Sequence, residues 1–341
     1  MWLKPSLLAG ACICALGSTA AAQTPQATPS EMQPLAQQSL TLSIARCNGH
    51  MLAVGQRGQI LLHETDWKQQ TSPVNALLTK VRCEGKRAMA VGHDASIVSS
   101  DDGSTWQLRN FDPELENPLL DVFMLDDQHI IAVGAYGLFY RSRDAGQTWQ
   151  REFREELLYP EDKEYLDEVR AESEEDYLFE RAAILPHFNA ITRLADGRLL
   201  LVGEMGFVAI GNQDASAFER VDSPYEGSFF TAAQNADGKI FVAGLRGNIF
   251  STDNNLSYWQ AEVAQTDGNI NQLLATEQGE MLAVANGGEL LRWQQGAGFK
   301  AIALQKGQDL ISLAQDAQGE LWLAGSQGLQ TQAQLIKEVT P

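Results

Sequence analysis

Two stretches of this chain, SSDDGSTW at 99–106 and SRDAGQTW at 142–149, fit one pattern, SxDxGxTW, and each follows an apolar run that ends in glycine. A phrase that recurs behind the same apolar step marks a structural repeat. Its chemistry is that of a tight turn. The carboxylates of Asp101 and Asp144 can accept N–H groups of the turn, Gly103 and Gly146 supply positive φ, and Trp106 and Trp149 pack beneath the hairpin. Ser99, Thr105, Ser142 and Thr148 complete the two copies.

Aligning the chain on the apolar-glycine step yields seven segments: MLAVGQRGQI, AMAVGHDASI, IIAVGAYGLF, LLLVGEMGFV, IFVAGLRGNI, MLAVANGGEL and LWLAGSQGLQ. Their anchors are Gly55, Gly92, Gly134, Gly203, Gly244, Ala285 and Gly325, at spacings of 37, 42, 69, 41, 41 and 40 residues. A period near 40 with short apolar runs and glycine-bearing turns is that of a four-stranded propeller blade, and SxDxGxTW is the Asp-box, or BNR, pattern found on propellers. The anchoring runs are apolar on consecutive residues, as expected of a strand with both faces covered by neighbouring blades. The expected fold is all-β: a seven-bladed propeller with Asp-box repeats and a short acidic helical insert between blades 3 and 4.

The boxes decay around the ring. The fifth repeat keeps Ser251, Asp253 and Trp259 but has Asn254-Asn255 where the glycine should be, and the tolerance of Asn for positive φ predicts that this turn survives. Repeats one, four and six retain only Trp67, Phe218 and Trp293. Closing the ring needs a fourth strand for blade 7. Two segments compete for that place, Met32–Ser39 (MQPLAQQS), which is slightly favoured, and LIKEVT at 335–340.

Lys4, the apolar stretch Leu7–Leu16 and Ala20-Ala21-Ala22 before Gln23 read as a secretory signal over 1–22, followed by a linker over 23–31 and the propeller over 32–341. Cys12 lacks a leucine three places before it, so lipoprotein processing is not expected. The apolar run is too short to span a bilayer, and the expectation is an exported, periplasmic protein that is a monomer on its own and inserts no part of itself in a membrane. Beyond the signal, two cysteines remain, Cys47 and Cys83, at matching places in the first two inner strands. They are either two buried thiols or a disulfide between blades 1 and 2, for which a separation of roughly 7 Å between equivalent inner-strand residues is near the upper limit. A formal net charge of -19 argues against nucleic acid and anionic membrane surfaces.

Residues 151–181 hold 13 acids and 5 bases, within an insert spanning 151–187. Pro160 at a first-turn position and the apolar spacing predict two short helices, Glu161–Arg170 with Tyr165, Leu166 and Val169 on one stripe, and Glu174–Ala183 with Tyr177, Leu178 and Arg181 on the other. The insert either caps a blade edge as a solvated hairpin, removable at little cost to the propeller, or takes part in binding. In a four-stranded blade the connection into the next blade shares a face with the turn between strands b and c. The insert therefore rises beside seven b/c turns, which are expected to converge on the axis with Arg57, Asp94, Tyr136, Met205, Arg246, Gly287 and Gln327 at their second positions. Arginine, tyrosine and methionine around one mouth, with Glu204 beside Met205, have the character of a protein-contact surface. The candidate partner-binding residues are Arg57, Tyr136, Glu204, Met205, Arg246 and Gln327.

The register VGxxGxIxxSxDxGxTW, most complete in AVGAYGLFYRSRDAGQTW, resembles the photosystem II stability and assembly factor family of exported seven-bladed propellers. The resemblance covers the repeats across nearly the whole chain beyond the signal, and it more nearly resembles bacterial relatives outside photosynthesis. It implies a non-enzymatic scaffold or assembly and stability factor, with an arginine-bearing surface, for a membrane complex of the cell envelope, transporters included. Arg57 and Arg246 stand in the matching xRG turns. The alternative is a glycan-binding protein or sialidase-like glycoside hydrolase working on the axial face, since sialidases also carry Asp boxes. Tyr136 and Glu204 would then be its nucleophile and base, but the FRIP-like segment that supplies the first arginine of the substrate triad is missing. The five histidines, His50, His63, His93, His129 and His187, lack metal-ligand spacing, and no cofactor motif occurs, so neither metal nor cofactor is expected. His187 is expected to pack or cap where the insert rejoins blade 4.

Overall fold

A computed structural model describes residues 26–339, and the proposed signal over 1–22 lies outside the described residues. Seven antiparallel sheets follow one another along the chain, six of four strands and one of three, each hydrogen-bonded in chain order. Blade 4 shows the plan: strand a is Phe188–Arg193, strand b Leu199–Gly203, strand c Val208–Gly211 and strand d Phe218–Arg220. Every residue of its strand b is buried, as are those of Ile130–Gly134 and Ile240–Gly244. Sheets packed on both sides need that continuous apolar run. The glycine closing strand b is dictated by close approach rather than by φ. A Cβ on Gly134 would lie 2.2 Å from Pro118 O, and one on Gly92 2.1 Å from Leu77 O.

A belt of side chains ties the blades around the axis. At one register position of strand a, a polar side chain accepts the N–H of the next blade: Ser43 Oγ from Val81 (3.2 Å), Asp121 Oδ2 from Ile191 (3.0 Å) and Thr231 Oγ1 from Leu273 (3.0 Å). Gln272 Oε1 takes the Leu313 N–H, and Ser312 Oγ takes that of Ile44, joining the last blade to the first. Buried backbone donors are thereby satisfied where no strand ladder crosses from blade to blade. The inner strands of blades 1 and 2 are also joined by a disulfide between Cys47 and Cys83, whose Cα atoms are 5.3 Å apart.

Neither expected closing strand forms. Among the described residues blade 7 keeps three strands, Leu310–Gln315, Leu321–Gly325 and Gly328–Thr331. Met32–Ser39 contains Pro34, which lacks an N–H for a ladder, and it turns through a 3-10 segment, Ala36–Gln38, lying so close to strand c that a Cβ on Gly328 would meet Gln37 O at 1.9 Å. The C-terminal segment is a helix, α3 (Gln332–Val339), whose Leu335 is fully buried among residues of blades 6 and 7. Its start is a capping box: Thr331 N–H donates to Gln334 Oε1 at 2.7 Å, and Gln334 N–H donates to Thr331 Oγ1 at 3.4 Å.

The insert is two helices, α1 (Pro160–Glu172) and α2 (Glu174–Glu180), and it is not a solvated hairpin. Leu157, Leu166, Tyr177 and Leu185 share one buried cluster with Phe207 and Phe218 of blade 4. Tyr165 and Leu178, expected on the buried stripe, are exposed. Ser173 caps α2 by accepting the Asp176 N–H. The root of the insert is clamped. Arg154 lies over the Phe139 and Phe218 rings at 4.7 and 5.2 Å, and Glu152 binds Arg141 at 2.8 Å and Arg154 at 3.1 Å. Burial pushes the Glu152 carboxyl up, but the Arg141 hydrogen bond and the surrounding guanidinium charges outweigh it and hold it below its usual range.

Both full SxDxGxTW turns are hydrogen-bonded, one of them out of step with its sequence. In blade 3, Asp144 accepts from the Thr148 amide and hydroxyl at 2.9 and 2.6 Å, and Trp149 Nε1 donates to Gly146 O at 3.1 Å. In blade 2 the Ser104 and Thr105 amides go to Asp102, at 2.8 and 2.7 Å, not to Asp101, and Gly103 N–H goes to Ser100 Oγ, not to Ser99. Ser99 Oγ instead accepts from Arg109 Nε, and Trp106 Nε1 donates to Gly103 O. In the fifth repeat the positive φ falls on Leu256 (φ 55°), not on Asn254 or Asn255.

Candidate functional site

In the first five blades the turns between strands b and c are two-residue loops whose central residues both have positive φ, closed by an i+3 to i hydrogen bond. In the first, Arg57 (φ 54°) and Gly58 (φ 67°) are bracketed by Gln59 N–H to Gln56 O at 3.1 Å. Tyr136-Gly137, Met205-Gly206 and Arg246-Gly247 repeat it, with φ of 51°, 55° and 56° at the first residue. This is the type I′ hairpin, matched to strand twist and usually filled by Asn-Gly or Gly-Gly. The second glycine is required, since a Cβ on Gly58 would lie 1.9 Å from Val74 O. The first position has room, and here Arg, Tyr, Met and Arg occupy it at a cost of about 1 kcal/mol each for the left-handed conformation. Gln327 of blade 7 differs: the positive φ there is at Gly328.

The strained side chains point outward. Tyr136 is 43 % and Met205 70 % exposed, and the guanidinium groups of Arg57 and Arg246 make no hydrogen bond or ion pair among the described residues. The insert returns beside them as expected, with Gly137 N–H donating to Pro186 O at 2.9 Å and Glu204 N–H to His187 O at 3.0 Å. His187 joins blades 3 and 4: Tyr136 N–H donates to its Nδ1 at 3.1 Å, its ring meets the Tyr136 ring edge-on at 4.6 Å, and Glu204 Oε2 is 3.3 Å away. Tyr136 and Glu204 are thus brought together around His187, with Met205 next to Glu204 in the chain. Arg246 follows on blade 5, while Arg57 and Gln327 stand on blades 1 and 7, and Gln327 Nε2 donates to Gly307 O.

The turns do not line the axial cavity. The axial cavity is lined by inner-strand residues, and none of the seven turn residues lines it. His187 stands between Tyr136 and Glu204, and among the described residues no hydrogen bond joins the phenol to that carboxylate. Tyr136 and Glu204 therefore stand outside the axial cavity, where a sialidase-like nucleophile and base would have been expected. Sequence reasoning passed over the strain itself. Its signal was legible, because a large side chain before glycine in a two-residue hairpin loop implies a left-handed residue.

No protein-family model matches the chain. Two curated relatives, both the photosystem II assembly lipoprotein Ycf48 of Synechococcus strains CC9902 and RCC307, are 24 % and 26 % identical to it, over 77 % and 75 % of this chain and 72 % and 84 % of their own length. A solved structure described as YCF48 bound to D1 peptide superposes with a TM-score of 0.64 at 15 % identity, covering 89 % of this chain and 98 % of that one. The chain is a β-propeller similar to photosystem II assembly factors. The assembly factor-like propeller also shares its fold with a streptogramin B lyase, at TM-score 0.66 and 12 % identity. At those identities the superpositions speak for the fold alone.

Proposed function

We propose that this propeller is an exported, non-enzymatic scaffold that holds a segment of a protein partner on its b/c-turn face and so serves the assembly or stability of a membrane complex of the cell envelope, such as a transporter. One observation carries the reading: Arg57, Tyr136, Met205 and Arg246 occupy left-handed positions that glycine or asparagine would fill without strain, and all four are exposed. Backbone strain kept at exposed Arg, Tyr and Met fits a contact surface, where those residues act as anchors. The relatives support a partner of this class, because those proteins are named for assembly and a related structure is described with a bound peptide.

The experiment is in-cell cross-linking of the exported protein followed by identification of captured chains, comparing the native chain with an Arg57→Glu, Arg246→Glu double variant. Both positions are exposed turns, so the variant should keep its stability within about 0.5 kcal/mol per site. Capture of a membrane protein that is lost in the variant supports the reading. Capture unchanged in the variant, or turnover of a sialoside by the native chain, overturns it.

A further inference from the structure

The axial cavity has a volume of about 780 Å³, within the range of small-molecule sites. Alanines from five blades, Ala45, Ala190, Ala232, Ala275 and Ala314, leave its space open. It reaches the a/b turns through Ala195 and Asn235, at the end of the ring opposite the b/c turns. Its charge is one-sided: four bases line it, Arg46, Lys80, Arg82 and Arg193, with no acid, in a chain of formal net charge -19. Two of the four are neutralised by carboxylates outside the lining. Arg82 pairs with buried Asp121 at 2.6 Å, and Arg46 with Glu277 at 2.5 Å.

Lys80 has no such partner. It stands at the belt position where five other blades place a hydrogen-bond acceptor, which a lysine cannot be. The Val122 N–H that it would have received goes instead to Asp121 Oδ1 at 2.9 Å. Among the described residues its ammonium makes no hydrogen bond or ion pair. Burial pushes its pKa down, Asp121 pulls it partly back, and Arg82 pushes it further down. It lies deep in the molecule yet faces the cavity and keeps some accessible area there. Among the described residues Arg193 likewise pairs with no carboxylate: it donates to Leu125 O at 2.6 Å and lies 5.2 Å over the Phe123 ring. Unpaired charge out of bulk water is costly, and a counter-ion entering a walled cavity recovers much of that cost.

We propose that the axial cavity binds a small organic anion bearing carboxylate or phosphate groups, with Lys80 and Arg193 as its cationic contacts. The site is distinct from the b/c-turn face and does not depend on the scaffold reading.

Isothermal titration of the exported chain at neutral pH and low ionic strength, with citrate in one arm and inorganic phosphate in the other, tests it. Saturable binding in either arm is expected and tells which group is preferred. Lys80→Met and Arg193→Gln should each weaken it about tenfold or more, while Arg57→Glu, Arg246→Glu leaves it unchanged. Should Lys80→Met fold poorly, the native chain carries the test alone. Pyridoxal phosphate, an aldehyde bearing a phosphate, forms an imine with a lysine by loss of water, and borohydride reduces it. Peptide mapping should find the label on Lys80, with citrate protecting it. No saturable heat in either arm, binding unchanged in both cavity variants, or no citrate-protected label on Lys80 overturns the proposal.

Discussion

The Ser100 hydroxyl donates to Asp102 Oδ1 at 3.0 Å, so the turn that closes blade 2 is built one residue downstream of the serine and aspartate that SSDDGSTW nominates. Strand pairing gives the reason. Ser100 lies opposite Ala88 as Ser142 lies opposite Ile130, so those two serines hold the same place in their blades. The turn of blade 2 is simply one residue shorter. The difference was visible as a mismatch, since the two phrases are 43 residues apart and their anchor glycines 42.

Asp102→Ala should therefore cost about 1 kcal/mol, the loss of a carboxylate that satisfies two turn amides. Asp101→Ala should stay within about 0.5 kcal/mol, because its link to Arg87 is a 3.6 Å contact by an exposed side chain. Denaturant unfolding of the two variants decides the matter, and the reverse order would restore the gapless reading of the motif.

Acid should weaken the turns in a defined window. The Thr148 hydroxyl, the Thr148 amide and Ser142 hold Asp144 at about 2, and hydrogen bonds from His129 and the neighbouring amides hold Asp126 at about 2. Both lie below the unfolded value of about 3.9. A depressed folded pKa gives stability that is present above the unfolded value and lost as pH falls through the folded one. The melting temperature of Asp144→Asn should thus trail that of the native chain most at about pH 5 and converge on it toward about pH 2. Because Asp144 is exposed, the gap should also narrow with added salt. A gap that is constant with pH would mean that the charge of Asp144 is irrelevant to the turn.

Turn strain makes a prediction that separates stability from binding. Met205→Asn and Arg57→Asn place in left-handed positions a residue that tolerates them, so each should be neutral or stabilise by up to about 1 kcal/mol. Both should reduce partner capture if these side chains are anchors. Gly58→Ala should do the opposite to stability, since its Cβ has no room beside Val74 O. Thermal melts read beside cross-linking yield would expose a purely structural role, in which capture and stability move together.

The end of the chain should matter more than a frayed terminus would. Leu335→Ala removes a fully buried side chain from the cluster that covers blade 7 and should cost about 2 to 4 kcal/mol. Thr331→Ala breaks the capping box and should cost about 1 kcal/mol. Little change in either variant would show that the three-stranded blade is closed without its helix.

The blade period was legible because the glycine closing strand b is required by contact with the connection from the preceding blade, and contact of that kind cannot be met by another residue in most repeats. Blade 7 was misread because Met32–Ser39, the favoured segment, matches the place of a closing strand although Pro34 interrupts it, and because its rival LIKEVT has the apolar content of a strand although TQAQ before it is a helix-start signature. The belt escaped notice for a different reason. Ser43, Asp121, Thr231, Gln272 and Ser312 share no residue type, only a register that becomes visible once the strands are paired. Among the site residues, the turn face and the return of the insert were legible from topology. The axial cavity was not, because its alanines and cations look like ordinary alternation along a strand.

The insert supplies the sharpest test of what belongs to the core. Acidic composition suggested a removable loop, yet Leu166 and Tyr177 are buried with Phe207 and Phe218, and Arg220 of blade 4 donates to Leu157 O at 2.9 Å. Replacing Glu155–Arg181 by a short Gly/Ser linker should therefore expose aromatic surface on blade 4 and lower the melting temperature, where a solvated hairpin would be lost at little cost. The milder pair Leu166→Ala, Tyr177→Ala keeps the chain length and removes only the packing, at a cost of about 3 kcal/mol or more. Hydrogen exchange should then quicken in α1, α2 and the outer strand Phe218–Arg220, while Ile240–Gly244 of blade 5 stays protected. If only the helices quicken and the outer strand of blade 4 does not, the insert rides on the propeller without supporting it.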